Sequence, residues 1–191
     1  MTSTRHFLIL PGWQGSGEDH WQTHWQLALP NSSRLEVKDW LQPDPQDWRE
    51  SLETTLKQLN GPLVLIAHSL GCINLVNWVA QATPELLNKI EAALLVAPAD
   101  VERHGCPEAL LPFAPISRQP LPFPALILGS DNDPAATAER VRELAEDWQV
   151  PHQILGTVGH INVASGHHRW EEGFYWLYKL LKQASDQRKA A

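Results

Sequence analysis

Three side chains in this sequence have the types and order of an acyl-transfer relay: Ser69, Asp133 and His160. A serine hydroxyl is a weak nucleophile until a neighbouring base takes its proton. A histidine can be that base and then return the proton to a leaving group. An aspartate can fix the imidazole tautomer and stabilise the imidazolium. Ser69 sits in Ala67-His-Ser-Leu-Gly71, one residue short of the G-x-S-x-G pattern that puts a nucleophile on a sharp strand-to-helix turn. Such a turn needs tiny residues two positions either side. Gly71 meets that demand fully and Ala67 adequately. The pentapeptide alone also suits an ordinary strand-to-helix turn, where Ser and Gly are common.

The acid has a competitor and an alternative. Asp131 lies two residues before Asp133, which is preferred because it directly precedes Pro134. Asp-Pro is also how a helix N-cap followed by a first-turn proline reads. The backbone N–H groups of Trp13 and Leu70 are the candidates for binding an oxyanion, and Trp13, Trp21 and Trp25 for lining a small acyl pocket, although Trp is equally good core material. Trp13 and Gly15 also read as turn residues. His20 and His24 are four apart, but His20-Trp-Gln-Thr-His24 lacks the glutamate of an H-E-x-x-H zinc site and no third ligand is evident. No metal and no cofactor are expected. His68, beside the serine, is expected to pack or hydrogen-bond locally, and His167-His168 to lie at the surface.

These residues need strand ends to hold them. Phe7–Leu10, Leu35–Trp40, Leu63–Ile66, Ile90–Ala97, Ala125–Leu128 and His152–Leu155 read as six strands, mostly short apolar runs of the kind buried on both faces. Helices are predicted between them: one from about Glu18 with Trp21, Trp25 and Ala28 in step, one carrying the stripe Trp48, Leu52, Leu56, Leu59, and one from about Leu70 to Gln81. Others are expected after Thr83-Pro84, from Pro134 to about Trp148, and from about Trp170 to Gln183 with a fraying basic tail. Alternation of this kind implies a mostly parallel sheet covered on both faces, a three-layer α/β sandwich. In such a sheet the loops at the carboxyl ends of the strands build the site. Gly12-Trp13, Ser69, Asp133 and His160 all fall there. The stretch from Pro98 to Pro124 holds seven of the fifteen prolines and little periodicity, so it reads as a long, lid-like loop rather than a regular element.

The totals narrow the class. A chain of 191 residues suits one domain, 1–191, with one core. Net charge of −7 without a basic run argues against nucleic acid as a partner. Cys72 and Cys106 have no metal-ligand spacing, and nothing else suggests secretion. Met1–His6 shows no signal-peptide pattern, and no run approaches the 18 or so apolar residues of a membrane span. No membrane partner and a cytoplasmic location are the expectation.

At this point the sequence resembles a known family: the small serine hydrolases related to retinoblastoma-binding protein 9, within the α/β-hydrolase superfamily. The likeness rests on Leu10-Pro-Gly-Trp-Gln-Gly15, on His20-Trp21 with Trp25, on Ala67-His-Ser-Leu-Gly71 and on Gly129-Ser-Asp-Asn-Asp-Pro134. Its most specific string is Gly159-His-Ile-Asn-Val-Ala-Ser-Gly166. The resemblance implies Ser69, Asp133 and His160 as a catalytic triad, and a six-stranded sheet of order 2-1-3-4-5-6 lacking the first two strands of the full hydrolase sheet. Ala67 in place of glycine and the unplaced 98–124 stretch are the departures.

The expected activity is hydrolysis of small carboxylic esters, with amides and thioesters as related substrates, through an acyl-enzyme. The alternative is a protein-interaction module with a vestigial hydrolase site, since a fold can outlive its chemistry. A metal-dependent hydrolase is disfavoured by the poor ligand spacing.

Overall fold

The computed structural model describes residues 4–190, so Met1–Ser3 of the amino-terminal stretch read above lie outside the described residues. Six strands form one parallel sheet: β1 (His6–Leu10), β2 (Ser32–Arg34), β3 (Leu63–His68), β4 (Ile90–Val96), β5 (Ala125–Gly129) and β6 (His152–Ile154). Their order across the sheet is β2-β1-β3-β4-β5-β6. The chain therefore reverses its direction of growth between β1 and β3, where a doubly wound sheet opens a crevice at its carboxyl edge.

Side chains alternate across the strands, and each face has its own core. Leu8, Leu10, Leu63, Leu65, Ala93 and Leu95 face α2 (Pro45–Gln58), α3 (Leu70–Val79) and α5 (Ala138–Trp148). Phe7, Ile9, Val64, Ile66, Ala92 and Leu94 face the opposite way, where Trp21 and Trp25 of α1 (Trp21–Ala28) meet Leu177, Leu180 and Ala184 of α6 (Gly173–Ala190). The one-turn α4 (Pro84–Leu87) leads into β4. Among the described residues no helix is long and apolar enough to cross a membrane.

Several boundaries differ from the sequence reading. The second strand is Ser32–Arg34, not Leu35–Trp40. It is a polar edge strand, in register with Phe7–Ile9 of β1 and anchored by Arg34, which donates to Gln26 Oε1, Ser16 O and Thr23 Oγ1. The apolar residues after it, Leu35, Val37 and Trp40, are loop side chains packed on the core. α5 begins at Ala138 rather than Pro134, because Thr137 caps it by accepting from the Arg140 N–H. α6 continues past Gln183 to Ala190, and Arg188 there pairs with the buried Glu91 at 2.9 Å, which ties the basic tail down. The proline-rich stretch contains one 3-10 segment, Glu108–Phe113, whose Leu110 and Phe113 are buried.

Candidate active site

The turn after β3 carries Ser69 with φ 54° and ψ −121°, a backbone conformation an L-residue adopts only when its surroundings enforce it. They do so from both sides. The Ser69 N–H donates to Val96 O at 3.0 Å, and its carbonyl accepts from Cys72 N–H at 3.0 Å. Gly71 has no room for a side chain: a Cβ there would lie 2.4 Å from Leu10 O and 2.6 Å from Pro11 O. Ala67 is fully buried and paired in register with Leu10 and Leu95, so a methyl group fits where the pattern has glycine. The strained turn thus follows from close packing of β1 against the start of α3.

His160 is brought to this serine by the loop after β6. Its Nε2 lies 2.9 Å from Ser69 Oγ, and its Nδ1 lies 2.9 Å from each carboxylate oxygen of Asp133. A carboxylate accepts only, so Nδ1 carries the hydrogen and Nε2 offers its lone pair to the serine hydroxyl. Asp133 is enclosed, with 2% of its side chain exposed against 16% for His160. Its Oδ1 also accepts from Ala135 N–H at 2.7 Å. The helix that follows is capped by Thr137 instead, which removes the N-cap reading of Asp133. Asp131 is exposed, and its N–H is held by Gly156 O.

Two networks shape the loops. Ser130 Oγ donates toward Gly156 O and accepts from Val158 N–H, while Asn132 Oδ1 accepts from Gly159 N–H at 2.7 Å, stitching the aspartate loop to the histidine loop. The string Gly159–Gly166 is explained by its own turn. Asn162 and Ser165 cap each other reciprocally, and Gly159, at φ 63°, lies where a Cβ would be 2.6 Å from Ser165 Cβ. Across the crevice, Gly12 packs directly on the elbow, its Cβ position 2.8 Å from Ser69 Cβ and 3.3 Å from Leu70 N. The loop after it is fixed by buried Gln22, whose amide donates to Leu10 O and Ile66 O while accepting from Ser16 Oγ. Among the described residues, neither the backbone N–H of Trp13 nor that of Leu70 donates to a protein acceptor.

The tryptophans need correction. Trp21 and Trp25 are fully buried core side chains, and the surface cleft that Trp25 borders with His24, Arg169 and Phe174 does not include Ser69. Trp21 donates its indole N–H to Ile161 O at 2.8 Å and Trp25 to Arg169 O at 3.1 Å, and both pack edge-on or stacked against Trp170. Trp13 is partly buried and donates to Leu41 O. His20 is the N-cap of α1, its Nδ1 accepting from Gln22 N–H. Burial, with the Arg34 guanidinium and two other histidines nearby, pushes its pKa down to about 4. His68 packs as expected, against His20 and Trp21, but its hydrogen bond is long-range in sequence. Its Nε2 lies 2.9 Å from the backbone oxygen of His160, and burial first, then its histidine neighbours, push its pKa well down. The alternation of β3 places His68 on the face of Ile66 rather than of Ala67, a signal the sequence did carry.

The fold is that of the α/β hydrolases, with Ser69, His160 and Asp133 in hydrogen-bonding line at its carboxyl edge. The serine hydrolase family model matches residues 7–179, and the chain belongs to that family. Its fold is similar to that of a YdeN-like hydrolase from Pectobacterium atrosepticum, at 29% identity and a TM-score of 0.82, over 95% of this chain and 92% of that one. The ydeN gene product of B. subtilis aligns at 17% identity and a TM-score of 0.77, over 94% of this chain and 100% of that one. Est1E from Butyrivibrio proteoclasticus, solved with ferulic acid, aligns at 13% identity and a TM-score of 0.69, over 99% and 91%. Among curated proteins none matches the sequence.

Proposed function

We propose that this protein hydrolyses small carboxylic esters through an acyl-enzyme on Ser69, and that it stands with the retinoblastoma-binding-protein-9-like members of its family. The observation that carries this reading is the continuous relay from Ser69 Oγ through His160 to buried Asp133, with both links at 2.9 Å. In the first half-reaction Ser69 Oγ bonds to the acyl carbon as its proton passes to His160 Nε2. The carbonyl oxygen becomes an oxyanion, for which the N–H groups of Trp13 and Leu70 are the proposed donors. One such donor is typically worth about 3–4 kcal/mol in the transition state. The carbon–oxygen bond to the alcohol then breaks, and the departing alkoxide takes the proton from His160. In the second half-reaction a water gives its proton to His160, attacks the acyl carbon and releases the acid, while Ser69 Oγ recovers the proton.

Asp133 holds the Nδ1–H tautomer throughout and offsets the imidazolium charge in an enclosed setting, where that interaction is stronger than in water. No cofactor has a step in this scheme. Amides and thioesters enter it through the same tetrahedral intermediate. The test is presteady-state hydrolysis of short-chain nitrophenyl esters: a burst of nitrophenol equal to the enzyme concentration supports the acyl-enzyme. Steady turnover without a burst, unaffected in Ser69→Ala, would refute it.

A further inference from the structure

We propose that Trp21 and His68 are positioning residues which, by donating from buried rings to two successive carbonyls, hold the backbone of His160 and Ile161 so that the imidazole faces Ser69. The proposal rests on the reading of His160 as the base that serves Ser69.

The need for a clamp is visible in the loop itself. Gly159 before the histidine and Ile161 after it both have positive φ, 63° and 48°. For β-branched Ile161 that conformation is a true outlier, which persists only if its surroundings over-determine it. Two side-chain donors do so. His68 Nε2 is 2.9 Å from His160 O, and Trp21 Nε1 is 2.8 Å from Ile161 O. Because a carbonyl accepts only, His68 is the Nε2–H tautomer. Both donors belong to one buried stack. The Trp21 and His68 rings meet edge to face at 5.9 Å, and His20 packs against each, at 5.5 Å and 5.0 Å. His68 lies 4.9 Å, ring to ring, from His160. The elbow strand and α1 therefore grip the histidine loop from a rigid core, and His68, which holds the base, is covalently next to the nucleophile that base serves. A neutral His68 also places no like charge against the imidazolium that forms on His160.

The test uses Trp21→Phe, which keeps the ring and removes only the donor, with His68→Phe and His68→Gln, the last retaining an N–H at similar reach. In wild type and in each variant, the Nδ1–H proton of His160 against Asp133 is followed by NMR, in parallel with kcat, KM and the rate of fluorophosphonate labelling. The expected result is a fall in kcat of about tenfold to 10²-fold in Trp21→Phe and His68→Phe, with KM little changed, since small misplacement of a catalytic group has that scale of cost. The His160 resonance should shift or broaden in both, and His68→Gln should recover most of the loss. Wild-type kcat and an unmoved resonance in Trp21→Phe and His68→Phe would overturn the clamp, as would a His68→Gln enzyme as impaired as His68→Phe. Failure of the Ser69 reading looks different: wild type itself would neither turn over nor label, while the resonance would still report whether the clamp holds His160.

Discussion

His160 Nε2 lies 2.9 Å from Ser69 Oγ, joining residues 91 positions apart in the chain. The contact exists because the sheet puts the ends of β3 and β6, with β4 and β5 between them, on one carboxyl edge. Each partner is held by close packing on its own side: Gly71 against β1, and the histidine loop against the buried aromatic stack.

The two aspartates of the Gly129–Pro134 loop differ in what they face, so they should differ in effect. Asp133→Asn should lower kcat by about 10⁴-fold, because the amide no longer fixes the Nδ1–H tautomer of His160. Asp131→Asn, at an exposed position, should stay close to wild type. Steady-state ester hydrolysis by the two variants checks this, and the reverse ranking would assign the acid to Asp131.

Gly71 and Gly12 guard the elbow in different ways. Gly71→Ala drives a methyl group into Leu10 O and Pro11 O, and should destabilise the fold by at least about 1–3 kcal/mol. Gly12→Ala meets the Ser69 side chain first, then His68 O and the Leu70 N–H. It should lower kcat more than it lowers the melting temperature. Denaturation curves and kinetics on both variants separate the two effects.

Acid should weaken the fold through its buried imidazoles. His20 and His68 both have folded-state pKa values below the ordinary 6.5, His20 at about 4. The unfolded chain therefore takes up these protons first as pH falls. The stabilisation is complete above about pH 6.5 and is lost progressively as pH drops toward about 4. His20→Asn keeps an oxygen to cap α1 and removes one of the two groups. Urea midpoints at about pH 7 and about pH 5 should fall less in His20→Asn than in wild type. An equal fall would show that His20 is not held neutral.

How much of this was readable from the chain depended on range. Ser69, Asp133 and His160 announce themselves because each sits in a short string at a strand end, and the parallel sheet follows from alternating elements, whereas its strand order was legible only through the family resemblance. The edge strand Ser32–Arg34 does not, since its residues are polar and its stability comes from pairing with β1 and from Arg34, both distant in sequence. Leu35–Trp40 misleads because a loop that covers a core needs apolar side chains as much as a strand does. Trp21 misleads for a related reason. Its aromatic type fits a pocket wall or a core equally, and only the Ile161 carbonyl at its indole nitrogen decides between them.

The account stands or falls on Ser69. Fluorophosphonate labelling, read by intact mass and peptide mapping, tests it most directly. Wild type should gain one adduct on Ser69, with Ser69→Ala unlabelled and Asp133→Asn labelled far more slowly. An adduct that persists in Ser69→Ala, or a folded wild type that takes none and hydrolyses no ester, would contradict it.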